Sequence, residues 1–507
     1  MSLPAPAVTR RQVLAALGVG AGAAAIASCS RSSTGDGRIR LAMFHAPESK
    51  LNPLTNDGSK LVRWSCAEGL TTPNADGDAQ ELLATSWKRE GVTFHDGTAL
   101  SAENAAAALT FAASAAKPPR VLDGVKLTAK ADGKDLLLTT AAPDPLMPQR
   151  LSSPQLVILS PAAYPSSADG AIDPVGHGTG AFILKQANGS SGATLERNDK
   201  YWGKKAAAPG IDVTYVPDGA ARGTALRTGT ADIVEAVPVS QAGNVDKNLI
   251  HEVSTPRTST LYLNTRSGAF ANPALRAAAR NAVDPAALIK TVFEGHADSP
   301  VGLLGPAVPW AADLRAWKKE TYPGATGAAA TGKVPGATAA GSVPAGTAIT
   351  LASYTDRPEL GEMVPLLAQQ LEAAGFKVTQ DVREYNQIES EALAGKFHAV
   401  LVSRSTVLDS GDAVAYMTAD FSSSGSYSMS GLHDEKVDAA ISKAAATQPG
   451  DERHKAIMAA EQAILASGAA IPLAHERVIQ GEAAGVSGAQ RDPGERALIT
   501  SATTVKK

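Results

Sequence analysis

Cysteine is nearly absent from this chain: Cys29 and Cys66 are the only two in 507 residues. A disulfide framework is therefore excluded, and the fold must be held by its core and not by covalent staples. The neighbours of Cys66 in Val62-Arg63-Trp64-Ser65-Cys66 point to a buried, inert thiol. Aromatic residues make up only 5%, which gives little support to a sugar binder built on stacking platforms. Neither charge dominates: Lys+Arg 47 against Asp+Glu 50 leaves a net charge of -3, so no basic footprint indicates a nucleic-acid partner. Past Ala27 no apolar run is long enough to span a bilayer. The motifs of catalysis are missing as well. There is no His-Glu-x-x-His, no Gly-x-Ser-x-Gly elbow and no pair of histidines at helical ligand spacing. Gly178-Thr179-Gly180 lacks the Lys-Ser/Thr of a phosphate loop and reads as a tight turn. His95 and His433 read as structural and solvated residues respectively. The expectation is a protein that is not an enzyme and has no cofactor and no protein-held metal.

What is present begins at the N-terminus. Arg10 and Arg11 precede an apolar Ala/Gly-rich run, Val13 to Ala27, and a polar stretch, Ser30 to Gly37, follows. This is the order of an export signal: charged region, short apolar region, small-residue cleavage site. Ile26-Ala27-Ser28-Cys29 resembles the lipobox of bacterial lipoproteins, in which the Cys thiol receives a diacylglycerol and becomes the mature N-terminus. Residues 1–28 are then a lipoprotein signal peptide and 29–37 a flexible tether. Thr9-Arg10-Arg11-Gln12-Val13-Leu14 also resembles the twin-arginine export pattern. Either that route or the general secretory one ends outside the cytoplasmic membrane.

Hydropathy patterning then predicts an α/β protein. Arg38 to Met43 alternates as a half-buried strand. Val92 to His95 runs into the turn Asp96-Gly97, and Ser101 caps an Ala-rich helix from Ala102 to Ala115. From Ala348 the pattern is strand (348–351), helix (358–374), strand (376–379), helix (386–394), strand (397–402), with short connections. That alternation implies a parallel sheet, whose ligand edge lies beyond the carboxyl ends of its strands, from Ser403 onward. Asn272-Pro273 and Asp284-Pro285 open two further helices, and Asp451 to Leu465 forms another. Pro323 to Thr347 consists almost wholly of Ala, Gly, Thr, Pro and Val, too little to offset its ordering entropy, and is expected to be a flexible insertion.

Several stretches resemble, in order, the solute-binding family that includes the bacterial dipeptide-, oligopeptide- and nickel-binding proteins of ABC importers (family 5). They are Leu51-Asn52-Pro53, Glu68-Gly69-Leu70, Leu83 to Trp87, Gly91 to Thr98 with Ser101-Ala102-Glu103, Gly178 to Phe182, Glu196 to Gly203, Ala225 to Gly229 with Ala231-Asp232-Ile233, and Leu263-Asn264-Thr265. The resemblance implies a class II periplasmic-binding-protein fold of the large type, with two α/β lobes and a hinge. Lobe I is expected over 38–258 with an extra subdomain at about 56–174, lobe II over 259–471, and a return to lobe I over 472–507. It further implies a monomeric, extracytoplasmic lipoprotein that encloses a short peptide and delivers it to ABC permease subunits. A metal–chelate receptor of the same family is the alternative, and a surface hydrolase or interaction lipoprotein a third.

For the site, Asp409-Ser410-Gly411-Asp412 follows the last parallel strand. The resemblance carries the role of α-ammonium anchor to Asp409, with Asp412 as the other candidate. Arg404 stands where peptide-binding members tend to carry Trp. An Arg occurs there in nickel-binding relatives, where it can pair with a chelator's carboxylate. Tyr416 and Asn264 are expected as weaker contacts. Met417 to Leu432 contains no His, which disfavours capture of a bare metal ion by side chains.

Overall fold

The computed structural model describes residues 36–506, apart from 75–76, 84–90, 142, 167–170, 316–339, 356 and 408–409. The export signal, Cys29, Asp409, most of Leu83 to Trp87 and most of the 323–347 insertion lie outside the described residues.

Eleven strands form one continuous sheet. In chain order they are β1 (Ile39–Met43), β2 (Phe182–Ala187), β3 (Gly192–Arg197), β4 (Gly210–Tyr215), β5 (Ile233–Val234), β6 (Ile250–Leu263), β7 (Ala297–Asp298), β8 (Thr347–Tyr354), β9 (Phe376–Arg383), β10 (Ala399–Ser405) and β11 (Ala470–Glu482). The helices used below are α1 (Gly58–Arg63), α2 (Ala102–Ser114), α3 (Gly219–Arg227), α4 (Pro273–Ala282), α5 (Pro285–Val292), α6 (Pro358–Ala373), α7 (Tyr385–Leu393), α8 (Ala413–Phe421), α9 (Glu435–Ala446) and α10 (Asp451–Ser467). Across the sheet the order is β9-β8-β10-β6-β11-β5-β1-β4-β3-β2, with β7 paired to β11.

The two ends of that sheet serve two lobes. β8 pairs in parallel with β9 and β10, as the strand–helix–strand alternation requires. α6 buries Leu360, Met363, Leu367 and Leu371 against them, each contributing about 1.5–3 kcal/mol of apolar transfer. At the other end β1 pairs in parallel with β4 and β5. The buried side chains separate accordingly. One large cluster gathers Leu261 to Ala474, while smaller clusters hold β1 to β5 and the α2 region. β10 starts two residues later than its apolar pattern, because the Phe397 carbonyl accepts a hydrogen bond from Asn264 Nδ2 (3.0 Å).

Among the described strands of the sheet, β6 and β11 run from one lobe into the other. They pair antiparallel over most of their length, with register slips between Ser254 and Thr258 and between Ser259 and Thr260. β10 joins β6 on the lobe II side of the slip, from Arg257 to Leu263, and β5 joins β11 at its far end.

In lobe I a buried carboxylate ties the family-like segments together. Glu68 accepts hydrogen bonds from Thr179 Oγ1 (2.8 Å), Tyr201 Oη (2.7 Å) and Trp202 Nε1 (3.0 Å). Gly178 and Gly180 are dictated by close approach: a Cβ on either would sit 2.1 Å from the carbonyl oxygen of Cys66 or Ser65. The segment is a turn, as its sequence indicated. Cys66 is buried, and burial pushes its thiol up to about 12, so it is inert at neutral pH. His95 rests against the Gly180 carbonyl (2.9 Å), and His433 is exposed.

His475 on β11 fixes the approach of the segment after β7. Val301 N–H donates to Nε2 (3.2 Å), so the proton is on Nδ1, next to Thr258 Oγ1 (2.9 Å). Burial, reinforced by the charge of Arg315, drives its pKa down to about 3. An unfolded His titrates near 6.5, so between about 6.5 and 3 only the unfolded state takes up this proton. Stability is therefore expected to fall as the pH drops through that window. Denaturant midpoints at pH 7.5 and 4.5 check this: His475→Gln should flatten the dependence, and an unchanged slope contradicts the assignment.

Candidate functional site

The carboxyl ends of β8 and β10 and the slip in β6/β11 converge on one region. Two charge networks lie there, and they differ in how fully they are satisfied.

The first is closed. Arg404, near the end of β10, makes a two-pronged pair with Asp420 of α8: Nε to Oδ2 at 2.8 Å and Nη2 to Oδ1 at 2.7 Å. Burial opposes the guanidinium charge, but Asp420 more than compensates and holds it protonated. Tyr262 Oη also donates to Asp420 Oδ2 (2.8 Å) and lies 3.2 Å from Tyr416 Oη. The guanidinium stacks on the Tyr427 ring at 4.0 Å, and Tyr427 hydrogen-bonds Tyr385. Arg404 and Tyr416 are thus brought together, Arg404 on Asp420 and Tyr416 on Tyr262, which itself reaches Asp420. Tyr416 is fully buried, and burial raises its phenol far above the ordinary range.

Two other expected contacts are occupied elsewhere. Asp412 caps α8 through Val414 N–H (2.8 Å) and pairs with buried Arg453 at 2.8 and 3.1 Å. Asn264 donates to the Gly395 and Phe397 carbonyls (3.1 and 3.0 Å) and accepts from Arg266 N–H (3.0 Å). Asp412, Tyr416 and Asn264 thus each have hydrogen-bond partners within the protein.

The second network is open. Glu476 on β11 accepts from Ser259 Oγ (2.7 Å) and, more loosely, from Arg357 Nη1 (3.3 Å). Arg357 is the residue that caps α6, just past the end of β8. Arg257 of β6 pairs with Glu495 at 3.0 Å, and Arg63 at the end of α1 pairs with Glu235. Enclosure alone would raise the Glu495 carboxyl, but Arg257, Arg63 and Arg357 together hold it below the usual carboxylate range. Those three arginines come from β6, lobe I and lobe II, so both lobes contribute to one charged cleft. Arg63, Arg257 and Arg357 balance Glu235, Glu476 and Glu495. The Arg357 and Glu495 side chains keep 27% and 26% exposure, so water reaches them. Ser403, directly opposite Ser259 in the β6/β10 ladder, shares its face, and its buried Oγ has no hydrogen-bond partner. Among the described residues no cluster of three or more His, Cys, Asp or Glu is arranged to hold a metal ion.

These charged groups come from both lobes, and Arg357 and Glu495 are partly exposed. The family model for bacterial extracellular solute-binding proteins, family 5 Middle, matches residues 87–428. The chain belongs to this family. The glutathione-binding protein GsiB of Escherichia coli O1:K1 / APEC is 27% identical over 281 residues, 51% of this chain and 54% of GsiB. The chain thus spans about half the length of the curated relatives it matches. Among solved structures, NikA of Brucella suis in complex with Fe(III)-EDTA is similar with a TM-score of 0.78 at 22% identity, covering 92% of this chain and all of NikA. DppA of Helicobacter pylori in complex with the peptide STSA has a TM-score of 0.75 at 20% identity, covering 93% of this chain and 98% of DppA. At those identities the likeness is one of fold.

Sequence reasoning found Arg404 but missed Asp420, Arg357, Glu476 and Glu495. One signal was available: His475-Glu476-Arg477 follows the apolar run Ala470 to Ala474, and a charge there needs a partner. Asp420→Asn should leave Arg404 buried without a counter-charge and cost about 3–5 kcal/mol in denaturant unfolding. Replacing both partners by apolar residues (Arg404→Met with Asp420→Leu) should recover most of that loss. If the double variant were as unstable as the single one, the pair would not be the determinant.

Proposed function

We propose that this family 5 protein is an extracytoplasmic receptor that encloses a short peptide between its lobes and delivers it to an ABC permease. A diacylglycerol on Cys29 would keep it beside that permease. The open charge network carries the reading. Arg357 holds Glu476 at 3.3 Å, long for a charge-assisted contact, and is reached by water. A ligand carboxylate displacing that water gains a guanidinium in a cleft whose closure lowers the local dielectric. The ligand's α-ammonium falls to Asp409, the role the family resemblance assigns it. The unpartnered Ser403 hydroxyl supplies a further hydrogen bond to extended backbone. Arg404 then acts through Asp420 and Tyr427 by fixing the wall of the cleft.

In the metal–chelate alternative a chelator's carboxylate would meet Arg404, whose Nε–Nη2 edge Asp420 takes.

Thermal unfolding in the presence of di- to pentapeptides, glutathione or nickel–histidine separates the readings. At a ligand concentration 100 times Kd the stabilisation is about 2.7 kcal/mol. One peptide class should raise the midpoint. A rise with nickel–histidine alone would replace the peptide reading by the chelate one. Arg357→Met should weaken peptide affinity at least tenfold while the ligand-free midpoint moves little, because its side chain is partly hydrated. Asp409→Ala should cost a similar factor, and unchanged affinity would remove Asp409 as the amine anchor.

A further inference from the structure

The lobes also meet away from the charged cleft, at two glycines. Gly77 lies in the turn of the small hairpin formed by Thr71–Pro73 and Ala79–Glu81, on the lobe I side. That turn is braced: Asn74 and Asp78 exchange hydrogen bonds of 2.8 Å, one through the Asn74 side chain, and Gly77 N–H donates to the Asn74 carbonyl (3.1 Å). Gly411 lies just past β10 in lobe II, where its N–H donates to the Val407 carbonyl (3.1 Å). Its neighbour Asp412 is pinned by buried Arg453. Gly77 and Gly411 are thus each held through their own N–H, and they face each other.

Their approach leaves no room for a side chain. A Cβ on Gly77 would sit 2.5 Å from the Gly411 carbonyl oxygen, and one on Gly411 would sit 3.2 Å from Gly77 Cα. The obstructing atoms are backbone, so rotamer adjustment cannot relieve the overlap. Beside this contact runs a crevice lined from lobe I by Gly77, Asp78 and Gln149 and from lobe II by Gly411, Arg453 and His454, among others. Gln149 is 5% exposed, and its Oε1 has no hydrogen-bond partner. The seam is thus closely apposed without being fully bonded, which is the character of a steric stop and not of an adhesive.

We infer that Gly77 and Gly411 form the stop that sets how closely the two lobes approach, and so how completely water is excluded from the cleft between them. They are positioning residues and touch no ligand. The inference rests on the two-lobed architecture and does not depend on which solute is bound.

Backbone strain must be separated from the steric effect in any test. Gly77 has φ +88°, and a substitution there is strained whatever it meets. Gly97 provides the control: its φ is +90°, and a Cβ on it would meet nothing within 4 Å. Asn tolerates positive φ better than most residues, so Gly77→Asn and Gly97→Asn isolate the Cβ contact. The measurement is the interlobe distance distribution of the ligand-free full chain. Spin labels are placed at exposed Lys185→Cys and Glu372→Cys, with Cys29→Ser, while buried Cys66 stays unlabelled. The parent should populate the distance given by the present structure, and Gly97→Asn should keep it. Gly77→Asn should lower that population at least tenfold, and Gly411→Asn, at φ +81° and judged against the same Gly97→Asn control, should act in the same direction from the other lobe. Should Gly77→Asn prove unstable, Gly411→Asn against that control decides. A parent that never populates the short distance, or glycine variants matching the parent, would overturn the inference. Because no solute is added, neither outcome bears on the peptide reading.

Discussion

The β6/β11 pair is the constraint on which the rest depends. Both lobes hang their sheets on it, and its ladder breaks between Ser254 and Thr258. Backbone groups freed by such a break need other partners. Thr255 Oγ1 takes the Glu476 carbonyl (2.9 Å), and Thr406 gives both its N–H (2.7 Å) and Oγ1 (3.0 Å) to the Pro256 carbonyl. Arg257, Glu476 and Arg477 lie at or beside these register slips, where the two lobes join.

The two charge networks show how burial and pairing divide labour. Asp420 receives Arg404 twice and Tyr262 once, in a site closed to solvent, so it is rigid and dedicated to shape. The Arg357–Glu476 and Arg257–Glu495 contacts are longer and partly exposed, so these partners can be exchanged at small cost. Dedicated pairs make poor ligand contacts, and exchangeable ones make good ones. On the proposed reading, a solute meets the exchangeable pairs across β6, β11 and the start of α6, with Arg404 behind them as support.

Much of the fold was legible in the sequence because it rests on local chemistry. The helix α6, the strands β8 and β9, and the caps Ser101, Asn272 and Asp284 follow from apolar spacing and from side chains that reach the first free N–H groups. The start of β10 was misjudged because a distant residue, Asn264, takes the Phe397 carbonyl, and its end because Arg404 and Ser405 pair with Thr258 and Arg257 of β6. The site was less legible for the same reason. Asp420 sits 16 residues from Arg404 and Glu476 lies 119 residues from Arg357, and no spacing rule links them. Asp412 looked available because an aspartate beside glycine suits a loop; only the fold brings Arg453 to it.

The account stands on a zwitterionic solute bound in the cleft that Arg357, Glu476 and Glu495 share. Native mass spectrometry of the protein as purified, followed by sequencing of whatever is released on unfolding, tests this most directly. The account predicts an added mass that resolves into one or a few short peptides, absent when Arg357 is replaced by Met. A metal-bearing adduct, or a retained peptide unaffected by that replacement, would contradict it.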